Sequence, residues 1–217
     1  YIPAHMSKPG DADHSTAVAQ LVAQGAAVLG GRTLVLTTTL RAMRDIAASL
    51  RQRFDAFSCM DVLLQGESPK RELTERFIRG GTAGHNGCIL VGSASFWEGI
   101  DVPGDALQMV VVDKLPFSPP GDPVVEARAK QMEASGSNPF HHYHVPQAAI
   151  ALKQGAGRLI RRETDRGILV VCDVRLAQMP YGRRIVAALP AMRRITSQDE
   201  FTQALESLVT RPSTTDR

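Results

Sequence analysis

Gln154-Gly155-Ala156-Gly157-Arg158-Leu159-Ile160-Arg161 is the segment with the most chemistry in it. A guanidinium is permanently charged and carries a rigid fork of N–H donors that matches phosphate oxygens, so Arg158 and Arg161 together suit a polyphosphate. On a helix of roughly 100° per residue, Gln147, Gln154, Arg158 and Arg161 fall within about 60° of one another, opposite Ala149, Leu152, Ala156, Leu159 and Ile160. A solvated helix face would account for an arginine pair taken alone. Gly155 and Gly157, however, each cost roughly 1 kcal/mol relative to alanine in a helix interior, and a missing side chain lets a ligand or a neighbouring backbone approach. Binding is the better reading. Gly155-Ala156-Gly157 also opens a dinucleotide fingerprint, but Ile160 stands where a third small residue belongs and a helix precedes it, which rejects a nicotinamide-dependent oxidoreductase.

The second segment is Gly92-Ser93-Ala94-Ser95-Phe96-Trp97-Glu98-Gly99-Ile100-Asp101, directly after an apolar run. Small hydroxyl residues at a strand exit expose N–H groups suited to phosphate, and Glu98 and Asp101 accept from a ribose or an arginine. His141, His142 and His144 are spaced so that no single helix or strand face gathers all three, and no metal site is expected there.

The elements that must position these residues alternate. Helical spacing from Asp13 to Leu29 ends at Gly30-Gly31; Thr33–Thr37 is a short buried strand; a helix is predicted from Leu40 to Phe54. Met60–Leu64, Cys88–Gly92, Met109–Asp113 and Ile168–Asp173 read as further strands. Helices are predicted after Ser68-Pro69 to Arg79, from Asp122-Pro123, from Pro146 through Arg161, and after the capping box at Ser197-Gln198-Asp199-Glu200. Lys114 to Gly121 is too rich in proline for helix or strand interior. Five strands separated mostly by helices give an α/β fold, a parallel sheet with helices on both faces. Ligands bind beyond the carboxyl ends of such strands, which points to the loops after Leu36, Val91, Val112 and Val171.

The chain has 217 residues, 43% of them hydrophobic and 22% charged, which excludes disorder, collagen and coiled coil. Its net charge of +3 permits a polyanionic partner without demanding one. Cys59, Cys88 and Cys172 form no CxxC pair, so disulfides and a thiolate metal cluster are not expected. No apolar stretch reaches the roughly 20 residues of a membrane helix, and no cleavable leader is present, so no membrane partner and a cytoplasmic location are expected. Residues 1–10 read as a cloning-derived or disordered lead, 11–210 as one domain and 211–217 as a polar tail.

Together these motifs resemble the later motifs of superfamily-two helicases, most closely the C-terminal RecA-like motor domain of the DinG/XPD-like family. Thr33 to Thr38 corresponds to motif IV, Ser95 to Asp101 to motif V and Gln154 to Arg161 to motif VI. Lys114-Leu115-Pro116-Phe117, Asp122-Pro123, Asp173-x-Arg175 and Tyr181-Gly182 add the DinG character, and the resemblance covers about residues 15 to 195. It implies that Arg158 and Arg161, with Gln154 beside them, reach the γ-phosphate of ATP held on a first motor domain. It also implies that Glu98, Gly99, Asp101 and Gly157 lie near the nucleotide, and that Thr37, Thr38, Ser93 and Ser95 touch the backbone of single-stranded DNA. No G-x-x-x-x-G-K-[ST] motif and no strand ending in Asp-Glu occurs, so ATP and Mg2+ are expected mainly on that N-terminal motor domain. An iron–sulfur cluster, where the family has one, is expected on the N-terminal domain as well. The resemblance thus implies half of a DNA-repair helicase, inactive as an ATPase by itself; the alternative is a non-catalytic nucleic-acid-binding module of the same fold.

Overall fold

The computed structural model describes residues 1–54, 58–82, 84–93, 96, 102–119, 121–160 and 165–210. Among the described residues, thirteen regular elements follow in order. They are α1 (His14–Leu29), β1 (Thr33–Thr37), α2 (Leu40–Arg53), β2 (Met60–Leu64), α3 (Lys70–Arg79), β3 (Gly87–Ser93), β4 (Met109–Val112), α4 (Pro123–Ala134), α5 (Val145–Ala156), β5 (Ile168–Val171), α6 (Arg175–Gln178), α7 (Gly182–Ala187) and α8 (Gln198–Val209). A short 3-10 turn at Gly104–Ala106 and a wide π turn at Phe140–His144 join them.

The five strands form one parallel sheet in the order β2-β3-β1-β4-β5. β1 is central, paired with β3 (Thr33 opposite Ile89 through Thr37 opposite Ser93) and with β4 (Thr33 opposite Met109 through Leu36 opposite Val112). Every residue of β1, β4 and β5 is buried, because helices cover both faces of a parallel sheet and the strands read as continuous apolar runs. Period-two alternation sends Leu34, Leu36, Val110 and Val112 into the core beneath α3 and α5, and Val35, Met109 and Val111 into the core beneath α1, α2 and α8. Each such side chain contributes about 1.5–3 kcal/mol on leaving water.

Local chemistry sets the element ends. Gly30 caps α1 in the left-handed conformation at φ 61°. Gly31 (φ 88°) has a further reason to be glycine, since a Cβ there would collide with the backbone of Cys88 at the start of β3. Thr39 accepts from the Ala42 N–H at the start of α2, Asp122 accepts from Val124 and Val125 at α4, and Ser197 accepts from Glu200 at α8.

Residues 1–10, expected to lie outside the fold, are part of it. The Tyr1 amino group donates to Leu169 O at 2.7 Å and its carbonyl accepts from Val171 N at 2.9 Å, which adds a one-residue parallel strand to the outer side of β5. The Tyr1 ring stacks on Phe201 of α8 at 4.6 Å and 17°. Further along, His14 is buried with Nδ1 2.8 Å from Ser7 O and Nε2 2.9 Å from Asp113 O, pinning the N-terminal segment to the loop after β4. A short apolar-then-polar stretch has no periodicity from which such docking could be read.

The three thiols differ sharply. Cys59 is exposed, while Cys88 and Cys172 are buried in strands or at their ends. Burial, reinforced by nearby Asp61, pushes the Cys88 thiol up to about 11, and burial pushes Cys172 higher still. Thiolate is the reactive form, so a thiol reagent added to the native protein is expected to titrate one sulfhydryl, Cys59, and three after denaturation. Rapid native labelling of two or three would contradict this packing. Among the described residues, no helix is long and apolar enough to cross a membrane.

Candidate functional site

The carboxyl end of the sheet is a row of polar residues tied to one another. Thr37, the last residue of β1, is fully buried, and its Oγ1 donates to Gly92 O at 3.3 Å and Thr39 O at 3.2 Å. The Thr38 N–H donates to Asp113 Oδ1 at 3.1 Å, which also accepts from Lys114 N at 2.8 Å. Asp113 has no solvent exposure, so burial pushes its carboxyl above the ordinary carboxylate value. The Lys114 ammonium, 3.1 Å from Oδ2, opposes the push. Thr38 Oγ1 is buried without a hydrogen-bond partner among the described residues, a deficit of about 1–3 kcal/mol.

One functional candidate here escapes the sequence reading, which passes over the loop after β2. Gln65 extends that strand by donating its N–H to Val91 O at 3.0 Å. Its Oε1 accepts from both the N–H (2.7 Å) and the hydroxyl (3.1 Å) of Ser93. A glutamine one residue past an apolar run carries no local signal; only the pairing of β2 with β3 brings it to Ser93.

Asp173, just beyond β5, is fully buried. It accepts from Leu115 N at 2.8 Å and Arg175 N at 3.0 Å and holds the Arg175 guanidinium through Nε (2.9 Å) and Nη2 (2.7 Å). Bonding to Asp173 raises the Arg175 pKa further above its ordinary value. The same guanidinium lies 5.7 Å from the Phe117 ring, and Phe117, Phe140 and Tyr181 contact one another at centroid distances of 5.2–5.8 Å. These contacts hold the proline-rich segment after β4 as an ordered loop. His141 and His142 are exposed on the π turn, and among the described residues no group of three or more His, Cys, Asp or Glu side chains could hold a metal ion.

Arg158 lies at the other end of the sheet. The helix predicted through Arg161 stops at Ala156, and Gly157, Arg158 and Leu159 form a tight turn in which Arg158 N donates to Gly155 O and Leu159 N to Ala156 O. Two glycines within three residues remove the propensity to continue, and short-range bonds satisfy the helix end. Leu159 is buried beside Gly167, where a Cβ would collide with Leu159 and with Gln108 O. Gln108 and Gly167 immediately precede β4 and β5, and Ile168 N donates to Gln108 O at 2.9 Å, so this turn sits at the amino ends of those strands. Gln154 and Gly157 are exposed and Arg158 is half-buried. The motif VI turn and the Thr37–Thr38 turn therefore occupy opposite ends of the sheet.

Ser95, Glu98, Gly99, Asp101 and Arg161 lie outside the described residues. The chain positions flanking the first four are informative. Ser93 is at the carboxyl end of β3 and Gln108 at the amino end of β4, so the intervening segment carries the chain from one end of the sheet to the other. Phe96 is buried along the way, beneath the Lys70 ammonium at 5.1 Å and against Gly92, where a Cβ would clash.

Residues 22–192 match the family described as Helicase C-terminal domain. The chain belongs to that family. Among curated relatives, it is 46% identical over 164 residues to the ATP-dependent DNA helicase YoaA of Escherichia coli, covering 76% of this chain and 24% of the relative. It is 36% identical over 213 residues to the ATP-dependent helicase DinG of Mycobacterium tuberculosis, covering 96% and 30%. This helicase C-terminal domain thus spans about a quarter to a third of the length of those relatives. An XPD helicase structure superposes with a TM-score of 0.61 at 16% identity, over 89% of this chain and 35% of that one. The C-terminal domain of the DEAD-box protein Dbp5 superposes at 0.50 and 18% identity, over 93% and 94%. At those identities the likeness concerns the fold, which is RecA-like. The family match contains both the Thr37–Thr38 turn and motif VI, while α8 and the strap at Tyr1 lie outside it.

Proposed function

We propose that the chain is the second motor domain of a DinG-type ATP-dependent DNA helicase acting in DNA repair in the cytoplasm. Arg158 and Arg161, with Gln154 beside them, extend toward the γ-phosphate of ATP bound with Mg2+ by a preceding motor domain, and Glu98, Gly99, Asp101 and Gly157 lie near that nucleotide. Thr38 and Ser95 contact the backbone of single-stranded DNA, whereas Thr37 and Ser93, expected to touch it as well, direct their hydroxyls to Gly92 O and Gln65 Oε1 and act as supports. Backbone contacts of this kind position a strand without reading its sequence. The observation that carries the reading is the motif VI turn. Leu159 packs against Gly167 at the start of β5, which anchors the backbone that carries the half-buried Arg158. A preset guanidinium stabilises charge on a transferring phosphoryl group without reorganisation.

The residues present do not fit the other parts of an ATPase. The sequence has no phosphate-cradling Gly-Lys loop, and among the described residues no group of three or more His, Cys, Asp or Glu side chains could hold a metal ion. Nor do they fit an iron–sulfur cluster, since Cys59 is exposed while Cys88 and Cys172 are buried on different strands.

The test compares this chain with the full-length protein. The chain alone is expected to show no ATP hydrolysis above background with or without single-stranded DNA. The full-length protein is expected to hydrolyse ATP in a DNA-stimulated manner and to unwind a tailed duplex. Full-length protein that binds DNA yet never turns over ATP would replace the motor reading by the non-catalytic binding module.

A further inference from the structure

Four strands meet at the carboxyl end of the sheet through one continuous set of hydrogen bonds. Gln65 Oε1 takes both donors of Ser93, and Ser93 is the ladder partner of Thr37. The Thr37 hydroxyl donates to Gly92 O, and Thr38 N donates to the carboxylate of Asp113 beyond β4. An oxygen that accepts at 2.7 and 3.1 Å from two donors of one residue leaves that residue little freedom. The N–H and hydroxyl of Ser93 are the donors a phosphate would use, and both are directed at Gln65. Ser93 is therefore a strut, and the hydroxyl left unfilled in this row is Thr38 Oγ1.

We propose that Gln65 is a positioning residue for the nucleic-acid contact, holding β3 through Ser93 and so holding the adjoining Thr38 turn in the geometry that receives a backbone phosphate. The proposal rests on the functional reading above. It assigns Gln65 no contact with DNA: its oxygen acts inward, and the effect passes along the sheet end.

The experiment uses the full-length protein. Gln65→Ala is expected to raise the single-stranded DNA concentration needed for half-maximal ATPase stimulation by roughly tenfold, the worth of one to two ordinary hydrogen bonds, with kcat at saturating DNA within about twofold of wild type. Gln65→Glu keeps two acceptor oxygens in the same place and is expected to restore most of the affinity. Adding Ser93→Ala to Gln65→Ala is expected to cost less than the sum of the two single changes, because they share a bond. In this assay three outcomes overturn the proposal: an unchanged DNA requirement in Gln65→Ala, a Gln65→Glu variant weaker than Gln65→Ala, which would mean that the glutamine itself faces phosphate, or additive costs. Amide exchange at the end of β3 supplies a readout independent of helicase activity. It is expected to accelerate in Gln65→Ala and not in Gln65→Glu. Wild-type protein without DNA-stimulated turnover would sink the motor reading alone, whereas unchanged exchange would sink the role of Gln65 alone.

Discussion

Alanine at position 158 in the full-length protein is expected to lower the ATP turnover number by roughly 10³-fold or more, the usual worth of an arginine finger, with ATP binding weakened only slightly. The asymmetry follows from when the interaction matters. Charge accumulates on the phosphoryl oxygens as the γ-phosphate departs, so a guanidinium aimed there acts on the transition state more than on bound ATP. Arg158→Lys is expected to recover little, because an ammonium on a flexible stem lacks the planar fork and would not inherit the fixed geometry of the turn beside Leu159. Arg161→Ala is expected to behave like Arg158→Ala. Single-turnover hydrolysis together with binding of a fluorescent ATP analogue separates the two quantities. Turnover within tenfold of wild type in both alanine variants would leave the motif VI turn without a catalytic role, whatever its resemblance to other helicases.

The second large effect concerns stability. Asp173→Ala is expected to cost about 3 kcal/mol, a substantial part of the 5–15 kcal/mol that holds a typical domain together. The carboxylate is fully buried and accepts from two backbone N–H groups and the Arg175 guanidinium. Its removal leaves the buried Leu115 N–H without an acceptor. Arg175→Ala is expected to cost about half as much: the arginine side chain is 38% exposed, which screens the ion pair, and the carboxylate keeps its two backbone donors. Urea unfolding of this chain and its two variants measures both values. An Asp173→Ala midpoint matching wild type, or a larger loss in Arg175→Ala, would show that the loop after β4 is held by Phe117, Phe140 and Tyr181 instead.

Much of the fold is legible from residue order. β1 and β2 run from Thr33 to Thr37 and from Met60 to Leu64 as read from apolar runs; β1, buried along its whole length, needs no alternation to be seen, while β2, half-buried at the sheet edge, shows through its apolar residues alone. Ser197 and Asp122 start helices because their side chains cap locally, and local chemistry is what a sequence displays directly. Helical spacing carries the predicted helix past the end of α5 because a helical wheel rewards Arg158 and Arg161 for facing the same way, while the two glycines at its end count for little on it. The placement of the motif VI turn at the amino ends of β4 and β5 escapes a sequence reading for a related reason. The carboxyl-end rule describes loops leaving strands, and motif VI lies in a loop arriving at one. Gln65, Asp113 and His14 acquire their roles through strand order and long-range docking, which no local window contains.

The opposed placement of the two motifs has a mechanical consequence. A strand of four or five residues is about 15 Å long, so the Arg158 turn and the Thr38 turn are separated by the length of the sheet, and the protein between them can transmit influence from one to the other. The central strand between them is clamped on both sides by neighbours running in the same direction, which makes it stiff along its length. In a motor built this way, closing onto fuel at one extremity would tilt the whole body as a lever, and the filament held at the far extremity would be displaced by the stroke.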